Sequence, residues 1–241
     1  MLGTIAVALV AGLLAGAAAR PLIFARAVPV GAPPRTRCPD CGAALLSPAG
    51  FGRTLLSPLG RCRACRRRVL PPPVLPEALA GLSFAAIAAS GSTGWTAAAH
   101  YWLAACGVAL VLIDAAVHRL PDILTLPASA GTLLLLTGAW LCGEPGGLVR
   151  ALTAAAALGA AYLVLAFAGM GMGDVKLAPA VGALLGWHSW RAVALGTFAG
   201  FLLGAVFAVA LLAAGRVSRK QQVAYGPFIL LGALPVSLWL A

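Results

Sequence analysis

Acidic residues are scarce in this 241-residue sequence, and charge of either sign is low. Only 10% of the residues are charged, with six aspartates and glutamates against seventeen lysines and arginines. Hydrophobic residues make up 61% of the chain and the mean hydropathy is +0.98. Because so little polar surface cannot cover a water-soluble domain, the composition excludes one and predicts an integral membrane protein.

Several common catalytic motifs are absent as well. The sequence has no Gly-x-Ser-x-Gly turn, no Walker A loop and no His-Glu-x-x-His helix, which removes the commonest serine hydrolases, nucleotide-binding enzymes and metalloproteases. His100, His118 and His188 lack metal-ligand spacing, and we expect them at the membrane interface. Aromatic residues hardly interrupt the basic stretch of the chain, which argues against a nucleic-acid partner.

Apolar segments follow one another along the chain. The first, 2–19, has no basic residue before it, so we interpret it as a spanning helix and not as a secretion signal. The second and sixth segments are shorter than the roughly 20 residues that cross a bilayer. The predicted fold is an all-α polytopic membrane protein with about eight transmembrane helices. Beyond the first, the predicted helices are 77–90, 96–118, 123–142, 148–168, 175–187, 192–214 and 224–241.

The basic residues predict the orientation. Ten of the seventeen lie between Arg20 and Arg68, in a segment too polar to cross the membrane. If this segment is cytoplasmic, alternation of the helices leaves 15 basic residues inside and only Arg150 and Arg191 outside, as the positive-inside rule requires. The predicted domains are therefore a first helix (1–19), a cytoplasmic loop (20–76) and a membrane core (77–241). We expect the loop to lie at an anionic lipid surface.

Four cysteines in the loop form two Cys-x-x-Cys pairs, Cys38 with Cys41 and Cys62 with Cys65. Two such pairs separated by twenty residues are typical of a four-cysteine zinc ribbon or knuckle. Two disulfides or four unligated thiols are the alternatives, but a reducing cytoplasm favours a structural zinc ion. The other two cysteines, Cys106 and Cys142, lie in apolar segments and are interpreted as packing residues.

Asp174 follows glycines at three alternate positions, 169, 171 and 173, and precedes an apolar run. It could act simply as the N-cap of a helix. A cap does not need the glycines, however, whereas residues without side chains would let a peptide or a water molecule reach the carboxylate. We therefore favour a functional role for Asp174.

Asp114 lies near the end of an apolar segment, where Arg119 or His118 could neutralise it. Asp122 follows Pro121 at the start of the next segment and is expected in the first turn of a helix, in a supporting role. Topology puts Asp114, Asp122 and Asp174 at the same side of the membrane. If Asp114 and Asp174 converge, mutual repulsion would leave one acid and one base around a shared water, which can hydrolyse a peptide bond.

Two other classes of function remain open at this point. A proton-coupled transporter could use the same aspartates as a relay, but it would need polar groups continuing to the outer face, where the only acidic residue is Glu144. A non-enzymatic assembly factor could dock a cytoplasmic ATPase through the cysteine loop.

The motifs around the aspartates resemble those of the prepilin leader peptidases, a family of membrane aspartic peptidases. Asp114 with Pro121-Asp122 is similar to the family's first aspartate and its Pro-Asp pair, and Gly171-Met172-Gly173-Asp174-Val175-Lys176 is similar to its Gly-x-Gly-Asp-x-Lys motif. The cysteine pairs resemble the zinc loop of the larger bacterial members. Glu77 and Tyr225-Gly226-Pro227-Phe228 resemble the starts of their second and last helices.

The resemblance implies a function in detail. Asp114 and Asp174 would be catalytic, supported by Asp122, Gly171, Gly173 and Lys176. The substrate would be a type IV prepilin or a prepilin-like protein of type II secretion, cleaved after a glycine at the cytoplasmic face of a bacterial plasma membrane. Many members with the cysteine loop also methylate the new amino terminus, which leaves open a second activity with S-adenosylmethionine as cofactor.

Overall fold

The computed structural model describes residues 1–46, 60–69, 71–215 and 224–240. Within these ranges the chain forms eight α-helices and no named strand, which confirms the predicted all-α class. Arg216, Arg219 and Lys220, which contribute to the predicted orientation, lie outside the described residues. The helices are α1 (Leu2–Arg26), α2 (Leu75–Ala89), α3 (Gly94–Val117), α4 (Asp122–Leu141), α5 (Leu148–Phe167), α6 (Met172–His188), α7 (Trp190–Ala213) and α8 (Gly226–Trp239).

Five of these helices, α1, α3, α4, α5 and α7, are long and apolar enough to cross a membrane. The prediction of about eight spanning helices is therefore too high by this criterion. The second and sixth helices are short, as predicted, with 15 and 17 residues. The last helix is short as well, with 14 residues, because it begins only at Gly226.

α1 continues past its predicted end at residue 19 and includes Arg20 and Pro21. A charged residue can lie inside this helix because Glu77 of α2 binds the guanidinium of Arg20 through both carboxylate oxygens. The two helices also approach very closely at Gly12, where a Cβ atom would lie 2.5 Å from the carbonyl oxygen of Ala80. Small residues thus allow α1 and α2 to approach closely, and the Arg20–Glu77 ion pair also joins the two helices.

α6 lies at the centre of the bundle and packs against α4, α5 and α8. Most of its side chains are buried, including Leu177, Leu184 and Trp187. Gly182 lets it approach α5, since a Cβ there would lie 2.6 Å from the carbonyl oxygen of Ala154. By contrast, α1 and α7 expose many large apolar side chains, as helices facing lipid do.

The bundle has two polar ends, separated by the length of α3. Its 24 residues span about 36 Å at 1.5 Å per residue. One end, here called the aspartate end, carries Asp114, Asp122 and Asp174. The opposite end, here called the Glu144 end, carries the start of α3, Glu144 and the last residue of α6, His188.

Candidate active site

Asp114 of α3 and Asp174 of α6 line the same cavity at the aspartate end, which has a volume of about 760 Å³. The two residues are only 5% and 6% exposed, although the cavity itself is open. The structure thus brings together two carboxyl groups that lie 60 positions apart in sequence. Burying two carboxyl groups in one cavity costs free energy, and buried ionisable groups of this kind are found mainly at functional sites.

The carboxyl group of Asp114 is oriented by the start of α8. The backbone N–H of Gly226 donates to its Oδ2 atom over 3.0 Å. Arg119, which the sequence suggested as a counter-charge, donates instead to the carbonyl oxygen of Pro29 over 3.2 Å. Among the described residues, no salt bridge involves Asp114, so the interpretation of this residue as a neutralised interfacial charge is not supported.

Asp174 lies in the first turn of α6, and the N-cap of that helix is Gly171. The backbone N–H of Asp174 donates to the carbonyl oxygen of Gly171, while no side chain caps the helix. The alternative in which Asp174 is merely an N-cap is therefore wrong. A Cβ on Gly171 would lie 3.3 Å from Oδ2 of Asp174, so the absence of a side chain at Gly171 keeps one approach to the carboxyl group clear.

Two further glycines, at the starts of α6 and α8, make room for Leu120, a buried residue of the connection between α3 and α4. A Cβ on Gly173 would lie 2.6 Å from the Cβ of Leu120. A Cβ on Gly226 would lie 3.0 Å from Oδ2 of Asp114 and 3.2 Å from a methyl group of Leu120. Gly173 is therefore required by close packing, which sequence reasoning, concerned with substrate access, did not foresee.

Asp122 and Lys176 form an ion pair at the rim of the same cavity, with 2.6 Å between Nζ and Oδ1. Asp122 lies in the first turn of α4, as predicted, and Lys176 lies one turn into α6. Their side chains are 58% and 36% exposed. The pair connects the starts of the two helices but contributes little stability in such a solvated position.

The four loop cysteines also come together. All four Sγ atoms lie within 4.8 Å of one another, and the Cys38–Cys65 and Cys41–Cys62 pairs are each separated by 3.8 Å. These distances are far too long for disulfides, whose sulfurs lie about 2.05 Å apart. They match a zinc tetrahedron, because Zn–S bonds of about 2.3 Å place the sulfurs roughly 3.8 Å apart. The donor set is therefore compatible with zinc.

The cysteine cluster is attached to the C-terminal end of α1 through a small apolar core. Phe24 of α1 is buried there with Leu45 and Val69. Hydrogen bonding from the backbone N–H of Cys65 lowers the pKa of the Cys62 thiol to about 7, which favours the thiolate that a metal ligand requires. Arg26, at the end of α1, lines the aspartate cavity, so the cluster and the cavity occupy the same end of the molecule.

Sequence reasoning missed some residues of both polar ends. Tyr225 lines the aspartate cavity, but its only sequence signal was the resemblance of its segment to the last helix of a family. His118 ends α3 in a left-handed conformation, with φ of 52°. His100 is completely buried and contacts Ser237 with its Nε2 atom, a packing role that the sequence did not reveal.

The fold and the site define a polytopic membrane protein in which two buried carboxyl groups open to one end of a helix bundle. The model of the type IV leader peptidase family matches residues 101–210. The chain is 34% identical over 220 residues to the prepilin leader peptidase/N-methyltransferase of Aeromonas salmonicida, covering 86% of this chain and 72% of that relative. The corresponding protein of Burkholderia pseudomallei is 34% identical over 216 residues, covering 83% and 65%.

The chain therefore belongs to the type IV leader peptidase family, and it is a peptidase. The matched region includes both aspartates of the cavity, Asp114 and Asp174. No solved structure matches the chain.

Proposed function

We propose that this chain is an aspartic endopeptidase that removes the leader from type IV prepilins or from prepilin-like proteins of type II secretion. The observation that carries the proposal is the shared cavity of Asp114 and Asp174, in which both carboxyl groups are almost completely buried. Among the described residues that line this cavity, none is a serine, threonine or cysteine. Direct attack by water, activated by the two carboxyl groups, is therefore favoured over a covalent intermediate.

In this mechanism Asp114 is the base and Asp174 the acid. The hydrogen bond from the Gly226 N–H orients Asp114 and stabilises its carboxylate form, which suits the role of base. Asp114 takes a proton from a water molecule while the oxygen of that water bonds to the scissile carbonyl carbon. Asp174 protonates the carbonyl oxygen. When the C–N bond breaks, Asp114 returns its proton to the departing nitrogen, and Asp174 recovers one from the hydroxyl group.

The surroundings of the two aspartates suit an extended peptide. Gly171 leaves one side of the Asp174 carboxyl group free of a side chain, since a Cβ there would lie 3.3 Å from Oδ2, and the resemblance implies cleavage after a glycine. The excess of basic residues in the cysteine loop supports an orientation with this end in the cytoplasm of a bacterial cell.

The test is cleavage of a purified prepilin by the full chain in lipid nanodiscs, followed by mass spectrometry. Asp114→Asn and Asp174→Asn should each abolish leader removal. Asp122→Asn is the matched control, since it removes a carboxylate from the same cavity but should retain measurable cleavage. Full activity in Asp174→Asn would contradict the mechanism.

N-methylation of the new amino terminus is the second candidate, favoured by the names of the relatives from Aeromonas and Burkholderia. Glu77, the acidic residue similar to one in methylating relatives, is bound by Arg20 and does not line the aspartate cavity. Its observed contacts therefore suit helix packing better than binding of S-adenosylmethionine. Incubation with a labelled methyl donor would decide, because leader removal without label would leave a peptidase alone.

The cysteine cluster is proposed to hold one structural zinc ion through Cys38, Cys41, Cys62 and Cys65. A closed four-thiolate site leaves no position for substrate, so the ion would stabilise the loop and take no part in hydrolysis. Elemental analysis should find one zinc ion per chain in the wild type and in the control Cys142→Ser, but much less in Cys62→Ser. Equal zinc content in all three would contradict the assignment.

A further inference from the structure

The segment that joins α1 to the cysteine cluster contributes to the wall of the aspartate cavity. This segment, residues 27–35, is here called the α1 linker. Val30 of the linker and Arg26, the last residue of α1, both line the cavity that Asp114 and Asp174 share. The cysteine cluster is therefore connected to the membrane core through a part of the cavity wall. The proposed peptidase mechanism uses neither Arg26 nor Val30.

The middle of the α1 linker, residues 29–34, is exposed throughout. Within the linker, the N–H of Ala32 donates to the carbonyl oxygen of Pro29 over 3.2 Å. The N–H of Arg35 donates to the carbonyl oxygen of Ala25 over 3.0 Å, which closes the linker into a loop at the end of α1. A loop with so few buried contacts opens easily unless another element holds it.

Arg119 supplies the contact that fixes the linker to the membrane core. Its Nη1 atom donates to the carbonyl oxygens of Pro29 and Val28, over 3.2 and 3.5 Å. Among the described residues, these are the only hydrogen bonds between the linker and the membrane core. Arg119 lies in the connection between α3 and α4, five residues after Asp114, so it joins the linker to the chain that carries a proposed catalytic residue.

The charge of Arg119 is directed to the linker and not to the acidic residues nearby. Arg119 lines the same cavity as three aspartates, yet it forms no salt bridge among the described residues. The carbonyl oxygens that it binds follow the C-terminal end of α1, where a cation is favourable. The guanidinium can therefore hold the linker while Asp114 and Asp174 keep no basic partner.

We propose that Arg119 is a positioning residue that holds the α1 linker at the aspartate cavity, where Arg26 and Val30 form a wall that binds the substrate. This role rests on the peptidase function proposed above, and it concerns binding of the substrate and not the chemical step. Asp114 is oriented separately, by the N–H of Gly226 in α8. The side chain of Val30 is 83% exposed at the cavity, so it is available to an apolar part of a peptide.

The experiment compares the full chain with three variants. Arg119→Met removes the donors to the linker. Pro29→Gly leaves Arg119 intact and changes a residue that does not line the cavity, but glycine in place of proline makes the linker more flexible. Arg191→Met is the matched control, because it makes the same substitution at an exposed arginine of the Glu144 end.

All four proteins are studied in lipid nanodiscs. Hydrogen exchange read by mass spectrometry reports on the linker through peptides covering 30–37, in which the amides of Ala32 and Arg35 donate hydrogen bonds. Affinity is measured with a fluorescently labelled prepilin in the Asp174→Asn background, which should keep the substrate intact. The value of kcat is measured with proteins that retain Asp174.

Arg119→Met should exchange faster in these peptides and bind the prepilin on the order of tenfold more weakly, the usual effect of losing hydrogen bonds from a charged donor. Pro29→Gly should change exchange and affinity in the same directions. The value of kcat should stay the same in both variants, as it does when binding is lost equally from the ground state and the transition state. Arg191→Met should match the wild type in every measurement.

Weaker binding by Arg119→Met without faster exchange, together with normal binding by Pro29→Gly, would mean that the guanidinium contacts the substrate directly and would overturn the proposal. Faster exchange with unchanged affinity would also overturn it, because the linker would then take no part in binding. The affinity measurement needs no cleavage, so a failure of the proposed peptidase function would still leave the role of Arg119 decided.

Discussion

At the Glu144 end of the bundle, Glu144 accepts three hydrogen bonds from the start of α3, and Arg150 donates to three carbonyl oxygens at the end of α6. At the aspartate end, Asp114 accepts one hydrogen bond, from Gly226, and its described surroundings provide no salt bridge. Charges at the first end complete helix termini. At the second, the carboxyl groups of Asp114 and Asp174 form no salt bridge among the described residues, as the proposed acid and base chemistry requires.

The same contrast separates residues that stabilise the fold from residues that are proposed to take part in catalysis. Arg20 and Glu77 are buried as a pair, and each neutralises the other. Asp114 and Asp174 are two buried carboxyl groups that line one cavity without a basic partner, an arrangement that the fold does not need for stability. The following predictions test this division, beginning with the largest effect.

Asp114→Asn and Asp174→Asn should separate activity from stability. Each should lower the cleavage rate by about a thousandfold or more, because the two carboxyl groups act as a unit. Neither should lower the temperature of thermal unfolding, since an uncompensated buried carboxyl group is lost. Cleavage assays and unfolding scans on the same nanodisc preparations measure both. A marked drop in unfolding temperature would assign the aspartates to the fold.

Arg20→Met alone should destabilise the protein by about 3–5 kcal/mol, because it leaves the carboxylate of Glu77 buried without a partner. The double variant Arg20→Met with Glu77→Leu should recover most of that loss, since an apolar pair of similar volume can replace a buried ion pair. Chemical denaturation of the two variants gives the comparison. A double variant as unstable as the single one would show that the side chains do not act as a pair.

Glu144→Gln should lower stability at neutral pH by about 1 kcal/mol, the usual effect of a lost helix cap. Burial acts to raise the pKa of Glu144, but hydrogen bonds from Thr96 and Trp95 outweigh it and hold the pKa below the ordinary 4.5. A lowered pKa in the folded state means that the carboxylate stabilises above pH 4.5 and that this contribution disappears as the pH falls through the folded-state value.

The difference in stability between the wild type and Glu144→Gln should therefore shrink as the pH is lowered below 4.5. Unfolding temperatures measured over a pH series provide the check. A difference that is constant across the series would mean that the charge of Glu144 does not contribute.

Lys176→Met should have the smallest effect. Its ion pair with Asp122 is largely exposed, so its loss should change stability by about 0–1 kcal/mol and less at high salt. Unfolding scans at low and high ionic strength would measure this. A destabilisation as large as that of Arg20→Met would mean that the Lys176–Asp122 pair is needed to hold α4 and α6 together.

The sequence alone predicted much of this molecule. Eight apolar segments matched eight helices, because runs of apolar residues and the avoidance of charge in lipid leave a strong record in the sequence. The two Cys-x-x-Cys pairs also predicted the observed cluster of four thiols, since each pair forms a local turn. Arg20 misled the prediction for the end of α1, because its partner Glu77 is distant in sequence and only packing brings them together.

The local sequence therefore determined the positions of the helices. The scarcity of acidic residues also directed attention to Asp114 and Asp174. Only the tertiary structure decided that Asp114 and Asp174 share a cavity, that Gly226 donates to Asp114, and that Gly173 makes room for Leu120. It also decided that Glu144, Arg150 and Trp187 line a second cavity. The reason is physical: hydrophobicity and periodicity act between neighbours along the chain, whereas each of these contacts depends on how separate helices approach one another.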